Sequence, residues 1–134
     1  MKVTEILTEG LNKKDTYKIL LDFIRFAAEQ LELTSLPKFD FKFDSSSSVK
    51  NSSFGGYGNE AINITVANRH IMDVCRTLAH ELVHFKQDLE GRITSDADGK
   101  DGSPIENEAN AEAAVVMRKW GKMHPDLFDQ PAIV

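Results

Sequence analysis

Residues 69–90, RHIMDVCRTLAHELVHFKQDLE, decide how the rest of the chain is read. Ile71, Val74, Cys75, Leu78, Leu82, Phe85 and Leu89 recur there at intervals of three and four, the spacing that lines up apolar side chains along one face of an α-helix. Gly91 stands where a helix commonly closes with a left-handed residue. The spacing predicts a long amphipathic helix over 69–90. At about 100° per residue, His80 and His84 fall nearly opposite the apolar stripe, on the side shared by Asp73 and Thr77. Two imidazoles four residues apart stand one turn apart and reach a single Zn2+ at roughly 2.0–2.1 Å. Glu81 points about 100° round from His80, beside such an ion rather than on it. A carboxylate there can take a proton from an attacking water and pass it to a leaving amine.

A catalytic zinc site uses three protein ligands and leaves one position open, so a further ligand is sought downstream. Ser103-Pro104-Ile105-Glu106 has the form of a helix start, with Ser as N-cap, Pro at the first position and Glu closing a capping box. The helix it opens runs to about Trp120, with Ile105, Ala109, Ala113, Val116 and Trp120 as its apolar stripe. The capping box gives Glu106 a structural role. Glu112 lies at the edge of the stripe and Glu108 just beyond it, four residues apart and on one face. A carboxylate beside a packed face needs a partner. Glu108 is therefore assigned as third ligand, and Glu112 as the acid that braces a ligating histidine.

Working outward, residues 13–33 carry Tyr17, Leu20, Leu21, Ile24, Ala28 and Leu31 at helical spacing, and Pro37 bars continuation. Phe39, Phe41 and Phe43 alternate with Asp40 and Lys42, as in a half-buried strand. Residues 45–53 are serine-rich and read as a loop. Gly55, Gly56 and Gly58 then lead as a glycine turn into a second strand over 61–67. The Asp96-Ala-Asp98-Gly-Lys100-Asp101 run lacks the fifth- and sixth-position residues of a calcium loop and reads as an acidic connection. Cys75, on the apolar stripe, reads as core. Residues 123–134 show no periodicity.

His80-Glu81-Leu82-Val83-His84 followed by Asn107-Glu108-Ala109 resembles the gluzincin clan of zinc metallopeptidases. The order of elements looks like the minigluzincins and like small bacterial and phage peptidases, over roughly residues 57–117. The resemblance implies an α+β zincin-like fold: an N-terminal helix, a small, mostly antiparallel sheet, the HExxH helix and a glutamate helix. It implies that Glu108 completes the ligand set and that Glu81 is the catalytic base. It also implies that the strand Ile62, Asn63, Ile64, Thr65 and Val66 is an edge strand to which an extended substrate adds. Many clan members steady the oxyanion with a Tyr or His, for which Tyr57 and His124 are the candidates here. The short-spaced third histidine of metzincins is lacking.

Whole-chain properties bound the reading. At 134 residues one domain, 1–134, is expected, with segments 1–12 and 122–134 peripheral. A net charge of -5 argues against nucleic acid or an anionic membrane as partner, and points to a peptide or protein substrate only through the motif. One cysteine, and no leader-like apolar run in MKVTEILTEG, point to the cytoplasm. The expected function is a peptidase dependent on one Zn2+. The rival is a peptide- or protein-binding module with a non-catalytic zinc, or a latent peptidase whose residues 123–134 cover the cleft.

Overall fold

A computed structural model describes residues 10–43, 55–94, 100 and 102–134. The serine-rich run 45–53 and most of the acidic connection 96–101 lie outside the described residues. The chain forms an α+β fold of three helices and a three-stranded mixed sheet: α1 (Lys13–Gln30), β1 (Lys38–Lys42), β2 (Gly55–Gly58), β3 (Ala61–Thr65), α2 (Ile71–Leu89) and α3 (Pro104–Met123). A 3-10 turn, Pro125–Asp129, follows.

Local chemistry explains the helix ends. Asn12 caps α1, its Oδ1 accepting from the Asp15 N–H at 2.8 Å. The helix stops well before Pro37: Glu32 takes a left-handed φ of 58°, and the Leu33 and Glu32 N–H groups turn back onto the Ala28 and Glu29 carbonyls. Its buried face is Leu20, Phe23, Ile24 and Ala27, so Leu21, placed on the stripe by spacing, is instead exposed. The second helix closes in the same way. Gly91 is left-handed at φ 71°, and the Arg92 and Gly91 N–H groups donate to Gln87 and Asp88 carbonyls. Leu89, the last residue of the expected stripe, is exposed, while Val83 and Gln87 are buried as well.

The sheet order is β1-β3-β2, with β1 parallel and β2 antiparallel to β3. It is therefore mixed rather than mostly antiparallel, and β3 is its centre. Ile62 and Ile64 are buried on the core side, and Asn63 is exposed. The glycines expected to make a turn are strand residues of β2; the turn is Asn59-Glu60, both at positive φ as a two-residue hairpin requires. Gly55 allows a close approach, because a Cβ there would stand 2.6 Å from Thr77 Cγ2 on α2. That approach lays β2 directly along α2. Phe39 and Phe41 of β1 stack on each other, and Tyr17 of α1 meets Phe41 edge-on.

At the core, α2 packs against α1, α3, β2 and β3. The C-terminal segment belongs to this core. Leu127 and Ile133 are buried, Ile133 pairs with Leu11, and its backbone bonds Asn68 and Arg69. Leu11, Leu127 and Ile133 are thus core residues within the segments 1–12 and 122–134 that were expected to be peripheral.

Candidate metal centre

His80 and His84 occupy successive turns of α2 and aim their Nε2 atoms at one point, 3.0 Å apart. Both side chains are largely buried. The carboxylate that meets them is Glu106: Oε1 lies 2.7 Å from His80 Nε2, and Oε2 3.1 Å from His84 Nε2. Among the described residues, His80, His84 and Glu106 are the group of donors close enough to hold one metal ion. The donor set suits a cation. Two imidazole nitrogens and two carboxylate oxygens face one another at contact distance, and all four are lone-pair bearers once each ring carries its proton on Nδ1. Two imidazoles and a carboxylate also make up a common set for Zn2+ with an open fourth position.

The assignment of Glu108 to the metal is corrected by this geometry. Ser103 does cap α3, but its Oγ accepts from the backbone N–H of Glu106, so the carboxylate is left to reach the histidines. Glu106 and Glu108 flank the buried stripe of Ile105 and Ala109 on opposite edges, and only the Glu106 edge faces the histidine pair. Glu108 instead takes two bonds from Arg92, at 2.7 and 2.8 Å, which hold its carboxyl near the bottom of the carboxylate range, at about 2. It also accepts from the Gln87 amide at 3.0 Å.

Glu112 is likewise not the brace of a histidine. It sits six residues beyond Glu106, about 120° away round the helix. The hydrogen bond to the His84 ring comes from α2 itself: His84 Nδ1 lies 2.8 Å from Gln87 Oε1. Gln87 was not singled out from sequence, although its spacing three residues past His84 is the signal that could have found it.

Glu81 lies beside the donors, its Oε1 3.8 Å from His80 Nε2. Burial pushes its carboxyl up to about 7, with a further rise from the Glu106 charge opposed by His84. Two cavities open on either side of the cluster, and Glu81 and Glu106 line both. One, of about 430 Å³, is also lined by Tyr57, Asp88 and Ile93; the other, of about 400 Å³, by Gly55, Arg76 and Asn110. β2 thus runs along the cleft wall.

Of the oxyanion candidates, Tyr57 lines this cleft, and its hydroxyl donates to Asp88 Oδ2. Burial and that acceptor raise the phenol above its ordinary range, so it stays protonated. His124 does not reach the cleft. It follows the C-terminus of α3, stacked on Trp120, about 27 Å along the helix from Glu106 at 1.5 Å per residue. The expected substrate edge is also corrected: Ile62, Asn63, Ile64 and Thr65 lie in the central strand, paired on both sides, and Val66 N–H is bonded to Lys42 O. Among the described residues, the edge strand that runs along the cleft is β2. No residue of 123–134 lines either cavity, so that segment is not a cover for the cleft. Cys75 is buried, and burial pushes its thiol up, as suits a core residue.

No family model, curated protein or solved structure matches the chain. No described helix is long and apolar enough to cross a membrane.

Proposed function

We propose that the chain is a zinc-dependent peptidase on a minimal zincin-like fold, with His80, His84 and Glu106 as ligands and Glu81 as general base. The observation that carries this is the separation of roles: three donors converge within 4.8 Å of one another, and a fourth, buried acid stands beside them. A structural zinc site is usually closed by a fourth protein ligand and has no use for Glu81. A zinc ion bound there supplies Lewis acidity and makes water more acidic. The side chains supply the rest. Glu81, held near neutrality, accepts a proton from the attacking water and returns it to the departing amine. Tyr57 lines the cleft, and its single hydroxyl proton goes to Asp88, so it would serve the oxygen of the attacked carbonyl only by turning away from that acceptor. β2, an edge strand among the described residues, rather than the central β3, is the strand beside which an extended peptide would lie, its side chains falling into the two flanking cavities.

The test is made on the full chain. Purified protein should carry about one zinc. The wild type should cleave members of a diverse peptide library, and Glu81→Gln should keep zinc while losing at least about a hundredfold in rate. A zinc-loaded wild type that cleaves nothing would leave the peptide-binding module as the better reading.

A further inference from the structure

We infer that Gln87 is a positioning residue that holds His84 in the tautomer protonated on Nδ1, leaving Nε2 bare toward the centre. Its bearing on zinc rests on the metal-site reading above; the tautomer itself does not. Gln87 is fully buried, each of its polar atoms has a partner, and the partners of its nitrogen allow one role only. Its nitrogen lies 3.1 Å from the Ile105 carbonyl oxygen and 3.0 Å from Glu108 Oε1. A carbonyl and an ionised carboxylate only accept, so this end must be the NH2 group, with both hydrogens used. The other end is therefore the oxygen, 2.8 Å from His84 Nδ1. An amide oxygen only accepts, so the ring must donate from Nδ1. A neutral imidazole carries one N–H, and Nε2, facing His80 and Glu106, is then a lone pair.

The direction of the amide is secured from outside. Arg92 grips Glu108 through two bonds, keeping it an acceptor, and the left-handed Gly91 turns the chain so that Arg92 follows the end of α2. A flipped amide would set its oxygen against two acceptors and its NH2 toward the ring. The order of dependence runs Arg92, Glu108, Gln87, His84. Glu108 thus serves the centre through two hydrogen bonds rather than as a ligand.

The test reads the tautomer directly. Metal-free full-length protein with 15N-labelled histidine is examined by long-range 1H–15N correlation near about pH 8, above the ordinary imidazole pKa of about 6.5. His84 should show the Nδ1–H pattern. His80 serves as comparison, since its Nε2 lies 2.7 Å from Glu106 and is placed to carry the proton. Gln87→Met keeps the length of the side chain and removes both bonding ends. It should give His84 a mixed or Nε2–H pattern and lower zinc affinity about 10–100-fold, with cooperative thermal unfolding retained. A wild-type His84 protonated on Nε2 overturns the inference, and so does a folded Gln87→Met with unchanged tautomer or unchanged zinc affinity. If that variant does not fold, the wild-type spectrum alone decides. A wild type that takes up no zinc sinks the peptidase reading and leaves the tautomer to be settled by the metal-free spectrum.

Discussion

Two acids two residues apart, Glu106 and Glu108, do different work because the buried stripe of α3 separates them. The one nearer the N-cap faces the histidines at 2.7 and 3.1 Å, and the other meets Arg92. Glu106→Gln keeps the backbone N–H that Ser103 caps, so the variant should fold normally yet fail to retain zinc in a chelator titration. Glu108→Ala should weaken zinc binding only about 10–100-fold, through Gln87, and Glu112→Ala should leave it unchanged. Zinc retained by Glu106→Gln would return the ligand role to another carboxylate. Glu81 carries a second prediction. Its folded-state carboxyl is raised to about 7 from an ordinary value of about 4.3, so between these values the folded chain binds the extra proton. Ionising it in place costs stability: the cost is absent below about pH 4, grows as pH rises, and is complete above about 7. Metal-free Glu81→Gln should therefore match the wild type in acid and exceed it in denaturant midpoint at pH 8. Equal midpoints at both pH values would contradict this. In the proposed reaction, the burial that suits Glu81 to proton transfer is the same burial that costs the fold stability when the carboxyl ionises.

At the scale of elements, the cleft depends on how β2 lies against α2, and on a C-terminal segment that ties both ends of the chain together. Gly55 permits the first. Ile133 secures the second, fully buried and hydrogen-bonded to Asn68 and Arg69 just before α2 begins. Removing residues 122–134 should thus unfold the protein rather than uncover the cleft. The milder Ile133→Ala should cost roughly 2–5 kcal/mol in urea unfolding, the range for emptying a packed aliphatic site. Were truncation to raise peptidase activity at unchanged stability, the segment would be a cover after all.

For the molecule as a whole, the centre joins the two helices that make the closest packed pair, α2 and α3. A metal held between them binds the folded chain and not the unfolded one, so it should raise stability by about 2.7 kcal/mol at a free concentration a hundredfold above Kd. Calorimetry with increasing zinc should show a steadily rising Tm in the wild type and none in His84→Ala. A rise of equal size in the variant would place the binding elsewhere.

What the chain itself determined is what a single helix or strand determines. His80, Glu81 and His84 keep their mutual placement wherever the helix goes, because 3.6 residues per turn fixes it. The Ser103 cap, the Gly91 closure and the alternation of Phe39 and Phe41 are also local, and all were legible. Other features exist only after packing. Periodicity says that α3 has a buried stripe with an acid at either edge, but not which edge turns toward α2; that angle belongs to the helix pair, and it chose Glu106 over Glu108. Alternation says that β3 is half-polar, but whether a strand lies at the centre or the edge depends on what pairs with it from far along the chain, here β1 and β2. The segment 123–134 lacks a period because its buried residues, Leu127 and Ile133, fill gaps between elements rather than forming a face of their own.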